Sequence, residues 1–243
     1  MHIIEQLPYF ILLALLAEVL GTIGGFGSSL LFVPIASYFI DFQSVLGITA
    51  LFHVTSNINK IVLFRKGYNR SLIINIGIPA VLFVILGAYM SKWVNTKMLE
   101  IGLSIFLIFM SLGLLFIKKL KVRANLSNSI TGGAISGFVA GLIGTGGAIR
   151  GITLAAFNLK PEVFIATSAL IDLGIDASRS VVYCANGYMH WHDMYLIPIL
   201  FVVSFIGTWL GKKLVVRIKE EQFKSIVLIL VLLTGIGSLL KFI

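Results

Sequence analysis

Charge is scarce in this sequence. Of 243 residues only 12 % are Asp, Glu, Lys or Arg, where a soluble domain carries about 25 %. Acids are the scarcer sign: 10 Asp and Glu face 19 Lys and Arg, which leaves a net charge of +9. A chain with so little charge cannot coat a soluble surface, which excludes a soluble globular enzyme, a disordered protein and a nucleic-acid-binding domain. Cysteine is nearly absent as well. Cys184 alone allows no internal disulfide and no CxxC metal or redox pair, and is expected to be a small buried apolar residue. What is present is apolar: 58 % of the residues are hydrophobic and the mean hydropathy is +1.02. These values define a polytopic membrane protein.

A helix needs about 20 apolar residues to span a bilayer. Charge-free stretches give eight segments, at 7–40, 43–64, 71–91, 98–117, 127–158, 162–185, 194–211 and 222–242. The connectors carry the expected breakers and charges, and no soluble domain is apparent. The N-terminus does not read as a signal peptide, because Glu5 stands where a basic region is expected and the apolar stretch is too long. Segments 7–40 and 127–158 are too long for one span and too short for two. Each is broken near its middle by a glycine run, Gly21-Thr22-Ile23-Gly24-Gly25-Phe26-Gly27 and Gly141-Leu142-Ile143-Gly144-Thr145-Gly146-Gly147.

The two glycine runs lie in matched register, and the register persists downstream. Thr49-Ala50-Leu51 matches Ser168-Ala169-Leu170, Gly67-Tyr68 matches Gly187-Tyr188, Pro79 matches Pro198 and Gly87 matches Gly207. The chain therefore reads as a duplication, with repeats at 1–120 and 127–243 joined by a linker at 121–126. Paired repeats are a mark of secondary transporters, which hold substrate between their halves. Basic residues cluster at 65–70, 118–123 and 212–224, whereas 186–193 has no Lys or Arg. The positive-inside rule puts the three basic stretches in the cytoplasm. They share a side only if 127–158 enters and leaves by one face, and the same holds for 7–40. Each repeat is then a re-entrant hairpin plus three spans. Three is odd, so the repeats are inverted and both termini are extracytoplasmic. Lys92 and Lys97 are at odds with this charge pattern.

A broken hairpin leaves amides unpaired at its tip, and the second arm starts there, near Ser28 and near Ala148. Helix N-termini bind anions, and glycine lets an anion approach the main chain. The alternative is that the glycines serve only close helix packing. The candidate substrate-binding residues are Gly24, Gly25, Gly27, Ser28, Asn57, Thr145, Gly146, Gly147, Arg150 and Ser168. A side chain at Gly146 is expected to block transport without loss of folded protein. Arg150, costly in lipid, is read chiefly as an anion ligand, with a structural pair to an acid as the alternative. The span after each hairpin carries a polar face: Thr49, His53, Ser56, Asn57 and Lys60 in one, Thr167, Ser168, Asp172, Asp176 and Arg179 in the other. Asp172, Asp176 and His53 are the candidates for proton coupling. Arg179, three residues from Asp176, is expected to hold that carboxylate in a structural ion pair, which leaves Asp172 as the proton carrier. Glu18, whose counterpart is Phe138, has no assigned role. No cofactor and no metal is called for.

The run Gly21-x-x-Gly24-Gly25-x-Gly27 with Pro34 downstream, its repeat at 141–151, and Ala166-Thr167-Ser168-Ala169-Leu170-Ile171-Asp172 resemble the TauE/SafE family of membrane anion transporters, named for sulfite export. The resemblance covers essentially the whole chain. It implies transport of small inorganic or organosulfur anions, often outward, by an integral protein of the inner membrane. One departure is Ile152, where many members carry proline. The remaining alternatives are a passive anion channel, a cation-coupled importer and an intramembrane enzyme. The last is disfavoured: there is no HExxH, and Gly27-Ser28-Ser29-Leu30 lacks the glycine expected after a rhomboid-type nucleophile. Pairing of two copies into a homodimer is left open.

Overall fold

The computed structural model describes residues 2–25, 27–116, 122–215 and 220–242. Among these the secondary structure is helical throughout, with no strand. The helices are α1 (His2–Gly24), α2 (Ser29–Ala36), α3 (Phe42–Leu63), α4 (Arg70–Ser91), α5 (Thr96–Phe116), α6 (Leu126–Ile143), α7 (Gly147–Ala155), α8 (Pro161–Ala185), α9 (Leu196–Val215) and α10 (Glu220–Leu240). Six of them, α1, α3, α4, α5, α6 and α9, are long and apolar enough to cross a membrane. The 25-residue α8 is long enough but carries Glu162, Asp172, Asp176 and Arg179.

The two overlong segments are broken hairpins. Each has a long first arm, 23 residues in α1 and 18 in α6, and a short second arm, 8 residues in α2 and 9 in α7. At about 1.5 Å per residue the short arms reach less than half the thickness of the roughly 30 Å hydrocarbon core. Glycine makes the breaks possible: Gly25, Gly27 and Gly144 have φ of 68°, 84° and 83°, values that side chains disfavour. Side-chain caps start other helices. Asp41 accepts from Gln43 N and Ser44 N ahead of α3, Asn69 from Leu72 N ahead of α4, and Asn125 from Asn128 N ahead of α6.

The closest helix pair is α4 with α6. Gly133, Gly137 and Gly141 recur every four residues, and a Cβ on each would collide with Ile76 O, Ala80 O and Val84 O in turn. The packing alternative thus holds for these glycines. The same order of contacts shows that α4 and α6 run parallel. On the other side Gly207 and Gly211 of α9 lie against Glu18 and Thr22 of α1, again parallel. Exchanging the halves maps the α4–α6 pair onto α9–α1.

These contacts sort the molecule into two ends. At one end Lys212 Nζ donates to Leu63 O, 2.7 Å, Lys66 pairs with Glu162 at 2.8 Å, and the parallel α4–α6 packing puts Arg123, just ahead of α6, at the same end as Arg70, the first residue of α4. Described members of all three basic stretches therefore gather together. Lys118, Lys119, Lys121, Arg217 and Lys219 lie outside the described residues. At the other end Tyr188 bonds Ser91 at 3.1 Å, Asn186 donates to Ala88 O at 2.9 Å, Lys97 lies over the Phe242 ring and Lys241 donates to Ser37 O at 3.0 Å. Trp93, Trp191 and Trp209 are exposed. Cys184 is exposed too, contrary to expectation. It follows the buried Tyr183, which turns the opposite face of α8 inward to reach the carbonyls of α6.

Because the Gly137 backbone packs directly on Ala80, Gly137→Leu is expected to separate α4 from α6. Overpacking of this kind costs at least about 1–3 kcal/mol, to be read as a lower melting temperature and a lower yield of monodisperse protein in detergent.

Candidate functional site

The two hairpin tips meet in the middle of the molecule, where Ser29 Oγ and Thr145 Oγ1 are 3.1 Å apart. Around them lies a small, largely polar cavity. From the tips it is lined by Gly27, Ser28, Ser29, Gly144, Gly146 and Gly147; from α3 by His53, Asn57 and Lys60; and from α7 and α8 by Arg150, Asp172, Asp176 and Arg179. A second, smaller cavity adjoins it toward the basic end and is lined by Gly25, Ser168 and Ile165. Gly27, Lys60 and Asp172 border both. Gly24 and Thr145 line neither; Thr145 is held by Ser29.

Three cations and three carboxylates meet here. Lys60 pairs with Glu18 at 3.0 Å, Arg150 with Asp172, and Arg179 with Asp176 at 2.7 Å. A buried charge without a partner costs several kcal/mol, and the pairing balances the site electrically. The three arrangements differ in what they leave over. A guanidinium has five N–H donors. Arg179 uses all three of its nitrogens: Nε and Nη2 bind Asp176, Nη2 also reaches His53 Nδ1 at 3.3 Å, and Nη1 donates to Gly144 O at 2.7 Å and Ala140 O at 3.3 Å. Those carbonyls end α6, so Arg179 pins the second tip in place, helped by Tyr183 Oη donating to Gly141 O at 2.6 Å. The structural role expected of Arg179 and Asp176 fits this geometry. Asn57 Nδ2 completes it by donating to Asp176 Oδ2 at 2.7 Å.

Arg150 is bound less completely. Nη1 meets Asp172 and Nε donates to Ser168 Oγ at 3.3 Å, while Nη2 faces Gly27, where a Cβ would sit 3.8 Å away. Both sequence readings of Arg150 therefore have a counterpart: it forms an ion pair, and it turns donors toward the cavity. Its partner Asp172 also accepts from Ser168 at 3.5 Å. Leu30, the Arg150 counterpart in the first half, is buried in the apolar core.

His53 links the charge clusters. Its Nδ1 faces Arg179, which can only donate, so Nδ1 accepts and the ring proton sits on Nε2. From there it donates to Ser28 Oγ at 2.9 Å, and Ser28 in turn donates to Glu18 Oε2 at 2.6 Å. Glu18 is fully buried and also accepts from Ser56, Thr22 and Thr208. This carboxylate, unassigned by sequence, joins α1, α2, α3 and α9. The available signal was an acid inside an apolar arm with Lys60 as the cation of the same half; comparing repeats hid it, because Phe138 has no charge. Lys60 spends two donors on Glu18 and on Ser56, 2.7 Å away, and its ammonium borders both cavities.

The glycines divide by role. Gly27 borders open space. A Cβ on Gly146 would collide with Ser136 O of α6, so Gly146 is a packing position as well as a lining one, and Gly146→Ala is expected to disturb the fold rather than leave it intact. Gly25 packs against the Phe164 ring.

A helical membrane protein whose broken helices converge on a shielded, charge-lined cavity belongs to the class of membrane transporters, in which irregular backbone is tolerated where it lines a cavity. The chain is a member of the sulfite exporter TauE/SafE family, whose match covers residues 10–238. Its relatives include the probable membrane transporter protein YunE of Bacillus subtilis strain 168, 27 % identical over 91 % of this chain and 93 % of YunE. The probable membrane transporter protein MJ0441 of Methanocaldococcus jannaschii is 27 % identical over 88 % of this chain and 87 % of its own length. No solved structure matches the chain significantly. Family and relatives are transporters rather than enzymes.

The saturated Arg179 and the partly engaged Arg150 should separate on mutation. Arg179→Gln strands Asp176 and two carbonyls, and is expected to destabilise the protein by about 3–5 kcal/mol. Arg150→Gln is expected to cost much less, since Asp172 keeps Ser168 and adjoins both cavities. Thermal unfolding of the two purified variants side by side checks this.

Proposed function

We propose that this chain is a secondary transporter that carries a small sulfur-containing anion, sulfite first and related inorganic or organosulfur anions next, out across the cytoplasmic membrane, with a proton coupled through Asp172. The observation that carries the reading is the meeting of two glycine-broken tips on one cavity where Arg150 and Lys60 present donors. The N-terminal ends of α2 and α7 add main-chain amides and partial positive charge.

Each cation is held by its own carboxylate, so an anion that binds one of them must displace its partner. Asp172 is the carboxylate to be displaced: it is the partner of Arg150, and it adjoins both cavities. A proton on Asp172 frees the planar guanidinium fork, which matches two oxygens of an oxyanion. Loss of that proton returns Asp172 to Arg150 and expels the anion. Glu18 and Arg179, each with a full set of partners, form the frame. A membrane potential of 100 mV, negative inside, favours export by about 2.3 kcal/mol per net negative charge moved, and a proton carried outward with the anion offsets one such charge.

The repeats at 1–120 and 127–243 are read as inverted, supported by α1 and α9 running parallel in one direction while α6 and α4 run parallel in the other. With the basic end in the cytoplasm, residues 186–193 and both termini face outward. Single cysteines at positions 68 and 187, in a Cys184→Ser background because Cys184 is exposed, should then label from opposite sides of the membrane. Labelling of both from one side rejects this orientation.

Sulfite efflux from liposomes is the decisive measurement. Arg150→Lys keeps the charge but loses the fork, and is expected to raise the half-saturating concentration about tenfold or more; Arg150→Gln should raise it further. Asp172→Asn should still bind the anion, yet give a flux that no longer responds to an imposed proton gradient. Full response in Asp172→Asn defeats the coupling, and unchanged saturation in both Arg150 variants removes that residue from the site.

A further inference from the structure

At the end of the molecule away from the basic stretches, a second group of polar side chains is unrelated to the cavity. Asp41, the cap of α3, faces the α8–α9 connection, which contributes His190, His192 and Asp193. One ligating atom from each of these four residues lies within 4.8 Å of all the others. His190 Nδ1 is 3.3 Å from Asp41 Oδ2, and His192 Nε2 is 3.3 Å from Asp193 Oδ2. The two imidazoles stack with 5.4 Å between centroids and 7° between planes. Ser44 Oγ lies 2.7 Å from His190 Nδ1, a contact that a metal bound at Nδ1 replaces.

One member is poorly satisfied by the fold alone. The Asp193 side chain is 4 % exposed, and its buried Oδ2 accepts no well-aligned hydrogen bond among the described residues; His192 Nε2, 3.3 Å away, serves it only as a protonated ion-pair partner. A buried carboxylate oxygen so thinly satisfied is costly. It points at two imidazoles and a second carboxylate, an arrangement that a cation would complete. The donor chemistry selects the cation: imidazole nitrogens suit zinc and its neighbours, whereas magnesium and calcium prefer an all-oxygen shell. The spacing agrees. Bonds of about 2.0–2.1 Å in a tetrahedron put neighbouring donors about 3.3 Å apart, which is the separation already present within each His–Asp pair. The two pairs must close on each other, and His192, 74 % exposed, is free to do so.

We propose that Asp41, His190, His192 and Asp193 form a binding site for a divalent transition metal ion of the zinc class. One ligand comes from the first half of the chain and three from the second, so the ion ties the start of α3 to the α8–α9 connection. That connection already docks here, since a Cβ on Gly47 of α3 would press on Tyr188 O.

The test is titration of tag-free, full-length protein in detergent with zinc chloride, followed by calorimetry, with magnesium chloride as comparison. The expected result is one zinc per chain, no magnesium binding, and affinity at least about tenfold weaker in His192→Ala. His192 is exposed, so this variant should fold normally, which thermal unfolding without metal verifies. Cobalt(II) gives a second readout: it should quench the fluorescence of the neighbouring Trp191 in a Trp93→Phe, Trp209→Phe background, and His192→Ala should abolish the effect. Absence of stoichiometric zinc binding by the unaltered protein, or equal binding by a folded His192→Ala, overturns the proposal. Anion flux does not enter the readout, so failure here leaves the transport reading standing.

Discussion

A charge taken out of water needs an opposite charge beside it, and this constraint organises the centre of the molecule. Lys60 with Glu18, Arg150 with Asp172 and Arg179 with Asp176 lie where an apolar bundle offers no solvent. Each cation therefore recruits a carboxylate, and hydroxyls take up the remaining lone pairs, most completely at Glu18. The pairs also recruit helices. Glu18 draws α2, α3 and α9 onto α1, and Arg179 draws α8 onto the end of α6. The proposed anion site is thus first a set of neutralised charges, and only a pair that can open without stranding a partner is available for work.

Broken helices follow from the same physics. Backbone that ends inside a membrane must have its polar groups satisfied by protein. At the second tip Arg179 and Tyr183 cover the carbonyls of α6. The amides that begin α2 and α7 have no such cover built from side chains, and they border the cavity. At this tip the negative helix end is closed off while the amides are left facing inward, an asymmetry that supports the anion reading proposed above.

Much of this was legible in the sequence. Eight segments, two of them broken by glycine, became eight helical units with the breaks where Gly25, Gly27 and Gly144 take left-handed φ. Asp172, Asp176 and Arg179 could be placed on one face from spacings of three and four. Arg150 stood out because arginine in an apolar run demands a reason. Three features did not come through. Glu18 was obscured by the comparison of repeats, which weights matched positions and so discounts an acid opposite Phe138. Gly146 and Gly27 look alike in a motif, but only one of them abuts the Ser136 carbonyl. Cys184 is apolar in composition, yet its position beside Tyr183 turns it outward.

Composition and pattern by themselves determined that the chain lives in a membrane and where its helices break. These follow from local quantities: the hydropathy of about 20 residues and the conformational freedom of glycine. Beyond the Arg179–Asp176 pair, which the spacing of three already offered, which cation meets which carboxylate, and hence which of Arg150 and Arg179 has donors to spare, was decided by tertiary structure. So was the approach of Asp41 to His190, His192 and Asp193. Ion pairs and close packing depend on distances of 3 to 4 Å between residues far apart in the chain, and a sequence carries no such distance until its helices have chosen their neighbours.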